Sequence, residues 1–280
     1  MSGTLFVVAT PIGNLDDLTP RARQTLATVD LVAAEDTRHT GRLLSNIGAK
    51  PGLLALHDHN EERAVHGLIE ALKDGKDVAL VSDAGTPLVS DPGFRLVRAA
   101  HENRITVVPL PGASAVTAAL SVAGLPTDRF CFEGFAPSKR AARRRWLEGL
   151  AHEQRTIVLY ESVHRIGDCL ADLVDLFGAD RQAFVGRELT KMHEQCVQET
   201  LGSLAQRVAD GSIVGKGEFV IVIAGAAPVD ESTVNADRLL RLLGEQLSAR
   251  EAARIAAEVT GAKKNALYER LLELKQAADS

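Results

Sequence analysis

Val81-Ser82-Asp83-Ala84-Gly85-Thr86-Pro87, closed by Ser90-Asp91-Pro92-Gly93, is the stretch on which the fold of this 280-residue chain turns. It follows a strand-like apolar run at 77–81, and a second run at 105–108 feeds a similar turn, Pro109-Leu110-Pro111-Gly112-Ala113-Ser114. Proline and glycine place backbone carbonyls and amides where side chains would otherwise stand. Turns of this kind, at the carboxyl ends of neighbouring strands in an open α/β sheet, are where small cofactors bind. A third, Thr10-Pro11-Ile12-Gly13-Asn14, follows the first apolar run. None is a phosphate cradle, because the chain contains neither G-x-G-x-x-G nor G-K-[ST]. A cofactor held without a phosphate-binding loop is the expectation.

Working outward, strand-like runs at 5–9, 31–34, 53–56, 77–81 and 105–108 alternate with amphipathic segments of helical length. That alternation predicts an α/β fold built on a mainly parallel sheet. Thr19-Pro20 reads as a helix start, since the hydroxyl caps free amides and proline in the first turn loses no needed donor. Asn60 reads likewise for a helix through Lys73 that Gly75 ends. After a helix over 113–123, Gly124-Leu125-Pro126-Thr127 looks like a connector, and a second α/β series follows at Phe130, Thr156, Ala183 and Phe219. Beyond Gly225 come three helical patterns near 236–247, 249–259 and 264–276, punctuated by Ser248 and Thr260-Gly261-Ala262. They resemble a helix-turn-helix module, although a plain packing bundle is the commoner use of three short helices. The expected organisation is two tandem α/β domains, 1–123 and 124–228, and a helical tail, 229–280.

Composition narrows the class. An apolar content of 45% supports a large core, and a formal net charge of -5 argues against a protein coated in nucleic acid over its whole surface. The three cysteines, Cys131, Cys169 and Cys196, lack C-x-x-C spacing, which supports neither a disulfide framework nor a thiolate zinc site and fits a reducing cytoplasm. The start, Met1-Ser2-Gly3-Thr4, has no basic segment ahead of a long apolar run, so no export signal is expected. Apolar runs at 156–160 and 219–224 read as buried strands, far short of the ~20 residues that span a bilayer.

Several clusters could carry chemistry. Asp83 sits where a strand gives way to its turn, so its carboxylate either faces the cofactor or bonds amides of its own turn. In Glu35-Asp36-Thr37-Arg38-His39, either Asp36 or Thr37 caps the next helix and the rest are solvated, or Arg38 binds a phosphate while one acid orients a hydroxyl. His57-Asp58-His59-Asn60 is weak support for a metal, and no metal site is expected. The run 139–145 carries five positive charges and no negative one, which invites RNA phosphate onto Lys139, Arg140, Arg143, Arg144 and Arg145. Arg187-Glu188-Leu189-Thr190-Lys191 follows another strand, and reads most simply as an exposed strand-end ion pair.

Ala9-Thr10-Pro11-Ile12-Gly13-Asn14-Leu15, Ala34-Glu35-Asp36-Thr37-Arg38, Ser82-Asp83-Ala84-Gly85-Thr86-Pro87, Pro111-Gly112, Gly124-Leu125-Pro126-Thr127-Asp128-Arg129-Phe130, Tyr160-Glu161-Ser162 with His164-Arg165, and Arg187-Glu188-Leu189-Thr190-Lys191 resemble a known pattern over 3–275. The chain resembles the bacterial ribosomal RNA small-subunit methyltransferase I family, a branch of the tetrapyrrole methylase superfamily. It departs from that pattern at Ala113 and Val163, where proline is expected, and at Leu88, where glycine or another small residue is frequent. The resemblance implies two α/β domains with S-adenosyl-L-methionine in the cleft between them, and a homodimer. It implies methylation of a cytidine ribose 2′-hydroxyl in the decoding region of 16S ribosomal RNA within the small ribosomal subunit. Cofactor contacts are then expected from Pro11 and Gly13, from Ser82, Asp83, Ala84, Gly85, Pro87, Val89 and Ser90, from Pro111, Gly112, Ala113 and Ser114, and from Tyr160 and Glu161. Glu35, Asp36 and Asp83 are the candidates for a general base, with Arg38, Arg187 and Lys191 holding phosphate or balancing charge. The rival readings are a tetrapyrrole C-methyltransferase, against which the arginine run and the tail argue, and a non-catalytic ribosome-assembly factor, against which the intact cofactor turns argue.

Overall fold

The computed structural model describes residues 2–57, 61–227 and 231–278, in two compact units, 1–225 and 226–280. Asp58, His59 and Asn60, and with them the expected helix cap and histidine loop, lie outside the described residues, as does the expected tail boundary at 228–229.

In the larger unit, strands β1 (Thr4–Val8), β2 (Leu31–Ala34), β3 (Gly52–Ala55), β4 (Val78–Val81) and β5 (Thr106–Leu110) form one sheet in the order β3-β2-β4-β1-β5. Every pairing in it is parallel. Helices α1 (Pro20–Thr28), α2 (Thr37–Asn46), α3 (Glu61–Lys73), α4 (Phe94–Glu102) and α5 (Ala115–Val122) connect and follow these strands. Residues of β4 are buried throughout, as a central parallel strand covered on both faces requires. Thr19 does cap α1, its hydroxyl accepting the Ala22 N–H at 3.2 Å with Pro20 in the first turn. The strands that feed the three proline- and glycine-rich turns are β4, β1 and β5, which are immediate neighbours. Turns separated by about a hundred residues of chain therefore open at one place, where the strand order reverses.

The second sheet has the order β6-β7-β10-β8-β9, from β6 (Phe130–Phe135), β7 (Thr156–Ser162), β8 (Gln182–Arg187), β9 (Gln195–Thr200) and β10 (Glu218–Ile223). Only β6 and β7 run parallel; the other neighbours are antiparallel. Strand β9, which no apolar run announces, is a polar edge strand whose partner is β8 alone. Helices α6 (Arg140–Leu150), α7 (Ile166–Phe177) and α8 (Leu201–Ala209) contribute Leu147, Leu170 and Leu204 to the core on one face. Against the other face packs α5: its Val116, Ala119 and Leu120 share a cluster with Val158, Phe184 and Val222. The helix that ends the first α/β series thus belongs to the core of the second sheet.

The smaller unit holds α9 (Glu231–Gly244), α10 (Ala249–Thr260) and α11 (Lys264–Ala278) around Leu240, Ala252, Ala253, Ala256 and Leu271. Ser248 and Glu251 cap each other's free groups at the start of α10. Among the described residues, no helix is long and apolar enough to cross a membrane.

Candidate functional site

Two backbone hydrogen bonds and one from a side-chain hydroxyl tie the three turns together. The Thr10 N–H donates to the Gly85 carbonyl at 2.9 Å and the Gly85 N–H to the Thr10 carbonyl at 3.0 Å. The Thr86 hydroxyl donates to the Ala113 carbonyl at 3.1 Å. Gly85 has φ of 82°, and a Cβ on it would stand 3.2 Å from Ile12 Cγ2, so both conformation and space select glycine. Leu88 and Ser90 also sit in the left-handed region, at φ of 72° and 68°. The family's small residue in place of Leu88 is explained by that conformation, which a branched side chain adopts only under strain.

Below these turns lies a cavity of about 500 Å³. The first sheet supplies Asp83, Ala84, Gly85, Thr86, Val89, Ser90 and Asp91; the second supplies Tyr160, Glu161, Phe219 and Val220. Glu35, Ser114, Phe135 and Glu218 add to its polar and aromatic margins. Its described lining contains five carboxylate residues and no lysine, arginine or histidine: Glu35, Asp83, Asp91, Glu161 and Glu218. Arg165 meets Glu161 and Lys191 meets Glu218, and the negative charge that is left on the wall attracts a cationic ligand and repels a phosphate. Asp91 is half-buried, and burial, reinforced by the charge of Asp83, pushes its carboxyl above the usual range against the hydrogen bond from Ser82. Burial, with Asp91 and Glu218 adding, pushes the Tyr160 phenol up to about 12, so it stays a neutral donor. Phe132 and Phe135 brace that ring at centroid distances of 4.8 and 5.4 Å. Glu161 is buried, with Oε1 2.8 Å from Arg165 Nη2 and Oε2 without a hydrogen-bond partner.

A second cavity of about 340 Å³ shares Ile12, Asp83, Ala84 and Glu218 with the first. Pro11, Gly13 and Lys191 line this one and not the larger. Ser82 and Pro87 are buried behind the turn. Pro111 and Gly112 lie outside both cavities; a Cβ on Gly112 would stand 3.0 Å from that of Ala9, so this glycine serves the packing of two turns. Ala113, too, is absent from both walls and borders a shallow groove with Gly112 and Thr190.

Three expected catalytic roles need correction. Asp36 caps α2, accepting the Arg38 N–H at 2.8 Å, and is chelated by the same guanidinium at 3.1 and 2.7 Å. Those bonds hold its carboxyl well below the usual carboxylate range, a poor setting for a base. Arg38 is thereby occupied, and neither residue lines either of these two cavities. Arg187 is buried and donates to the Lys216 and His193 carbonyls and to Gln195 Oε1, so it braces loops at the end of the sheet and holds no phosphate. Glu35 and Asp83 do reach the site, and Lys191 Nζ lies 2.9 Å from both Glu188 and Glu218.

The arginine run is also divided. Arg143 is 2 % exposed and its Nη2 lies 2.8 Å from Asp172, itself 0 % exposed. Arg140 and Arg144 reach the same carboxylate at 3.2 and 3.0 Å. Arg143 is therefore a core ion-pair partner, not an RNA contact, while Lys139 and Arg145 remain exposed. Asp91, Thr86, Phe135, Phe219 and Val220 were not foreseen as site residues. Asp91 had a signal in the Ser-Asp-Pro-Gly closure; the residues of β10 read only as a buried strand.

Comparison with known proteins agrees with this architecture. The profile of the Tetrapyrrole (Corrin/Porphyrin) Methylases matches residues 4–205, and that of the RsmI C-terminal HTH domain matches 230–275. A ribosomal RNA small subunit methyltransferase I of Xylella fastidiosa (strain Temecula1) is 54% identical over 267 residues, 95% of this chain and 98% of that one. Its counterpart in Pseudomonas aeruginosa is 51% identical over 275 residues, 97% and 98% of the two chains. Among solved structures, a cobalt precorrin-4 methyltransferase superposes with TM-score 0.58 at 19% identity, over 79% of this chain and 94% of that one. A uroporphyrin-III C-methyl transferase of Thermus thermophilus, complexed with S-adenyl homocysteine, gives 0.55 at 18% identity, over 79% and 97%. At such identities these two show the fold alone.

Proposed function

Because the chain belongs to the ribosomal RNA small subunit methyltransferase I family of the tetrapyrrole methylases, we propose that it methylates the ribose 2′-hydroxyl of a cytidine in the decoding region of 16S ribosomal RNA, using S-adenosyl-L-methionine. The observation that carries this reading is the cavity whose described lining holds five carboxylate residues and no lysine, arginine or histidine, with Arg165 and Lys191 meeting only Glu161 and Glu218 of them from outside that lining. It suits a ligand bearing a sulfonium and an ammonium group, and it disfavours a dinucleotide. Bound there, the cofactor supplies an activated methyl group. Phe135, Tyr160, Phe219 and Val220 offer it apolar walls, while Asp83, Asp91 and Glu161 face its positive charge.

The protein's own work is then orientation and proton removal. Asp83 stands in the wall shared by the two cavities, and its Oδ1 is fixed by the Asp36 N–H at 3.0 Å. It is the base this geometry favours for an acceptor hydroxyl. A positioned base contributes about 10²–10⁴-fold, and alignment can draw on the roughly 7–11 kcal/mol available to well-oriented groups. The bonded turns around Gly85 supply the rigidity that such alignment needs. The same family reading implies a homodimer acting on the small ribosomal subunit, and light scattering after gel filtration checks the first part.

Transfer of tritiated methyl from the cofactor to small subunits lacking the modification, followed by nuclease digestion and nucleoside chromatography, tests the activity. Label in 2′-O-methylcytidine is expected, and label on a tetrapyrrole or on no substrate would overturn the proposal. Asp83→Asn is expected to lower kcat about 10²–10⁴-fold, read in the same assay at saturating cofactor.

A further inference from the structure

The smaller cavity has a composition unlike the larger, and α2 explains it. His39, Arg42, Leu43 and Asn46 follow the i, i+3, i+4, i+7 spacing of one helix stripe and all line the cavity. The helix turns Thr40, Leu43 and Leu44 to the core, so of this cavity-lining stripe only Leu43 is buried, while Arg42 and Asn46 stay exposed. Nearby cations are committed, Arg38 to Asp36 and Lys191 to Glu188 and Glu218, but among the described residues Arg42 enters no ion pair. Leu15, on the same wall, is 48% exposed although it is a large apolar residue.

We infer that this cavity receives the acceptor nucleotide, with Arg42 on its phosphate and Asn46 on the edge of its base. The inference rests on the methyl-transfer reading above and names where the substrate binds. An unpaired guanidinium presents a fork of donors suited to phosphate oxygens. The Asn46 amide offers one acceptor and one donor side by side, which complements the amino group and ring nitrogen of cytosine. Leu15 and Leu43 give the base an apolar surface. The shared wall at Asp83 and Ala84 then sets the ribose beside the methyl donor. A volume of about 340 Å³ admits one nucleotide and no helix, so the target must leave its stack to enter.

Arg42→Gln and Asn46→Ala test this, since both side chains are exposed and their loss leaves the core intact. Steady-state methylation of small subunits is expected to show KM for the subunit raised about 10–100-fold by Arg42→Gln, as loss of a charge-assisted hydrogen bond predicts. A smaller rise is expected for Asn46→Ala, with cofactor affinity by calorimetry unchanged in both. Unchanged KM in both variants, or weakened cofactor binding in either, would overturn the assignment. A wild-type protein that methylates no ribosomal RNA would instead overturn the reading on which it rests.

Discussion

Helix α6 brings Arg140, Arg143 and Arg144 onto the single carboxylate of Asp172, whereas helix α2 keeps Arg42 and Asn46 exposed along a cavity wall. In the sequence the first looks like the nucleic-acid site and the second passes unnoticed. The difference lies in one residue of α7, twenty-eight positions beyond Arg144, that lies 0 % exposed beneath α6. Density of charge says how many cations a segment has. It does not say how many are left over once the fold has matched them.

The comparison breaks most directly at Asp172. Asp172→Ala leaves Arg143 buried without its counter-charge, and a loss of about 3–5 kcal/mol in urea unfolding is expected. The double variant Asp172→Ala with Arg143→Met is expected to recover most of that, because an apolar pair of similar bulk needs no charge partner. Single-variant stability equal to wild type would make α6 a solvated charge face after all.

Acid sharpens the same point. Burial alone would raise the Asp172 carboxyl, but hydrogen bonds from Arg144, Arg143 and Arg140 outweigh it and hold the group below the usual carboxylate range. A group with a depressed folded pKa contributes stability above its unfolded value, about 3.9 for Asp, and loses it as pH falls through the folded value. Wild type is therefore expected to lose stability below about pH 4 more steeply than the Asp172→Ala variant, followed by fluorescence-monitored unfolding at each pH.

Lys139 and Arg145 are the part of the run still free to meet phosphate. Lys139→Gln with Arg145→Gln should flatten the logarithmic salt dependence of RNA binding by about 1.4, at roughly 0.7 per single-strand phosphate contact. Filter binding over a salt series reads it, with melting temperature held as the control. The smallest expected effect is on thiol labelling. Cys196 is exposed, whereas Cys169 on α7 is buried, and burial with the charge of Glu161 pushes its thiol up to about 12. Mass spectrometry after brief iodoacetamide treatment should find Cys196 modified and Cys169 intact, with Cys169 opening to reagent in the Asp172→Ala variant.

Much of the site was legible because its framework is backbone. Asp83, Ala84, Gly85, Val89 and Ser90 line the larger cavity, and their turn is spelled by residues whose conformational limits are intrinsic. Strands of the first sheet fall within a residue or two of their apolar runs, since central parallel strands are apolar on both faces. Strand β9 was not legible, because a polar edge strand has no such signature. Asp36 and Arg38 misled for a different reason: residues suited to catalysis are equally suited to capping a helix and neutralising the cap.

The amino-acid sequence by itself determined the alternation of strands and helices, the three rigid turns without a phosphate loop, the absence of a thiolate metal pattern and the family to which these belong. Only the tertiary structure decided which charges remain available. It set Asp172 beneath α6, drew Arg187 onto carbonyls and left Arg42 facing a cavity. Conformational preference is a property of neighbours along the chain, and so it can be read in one dimension. The availability of a charge depends on desolvation and on partners brought together in space, and those exist only once the chain has folded.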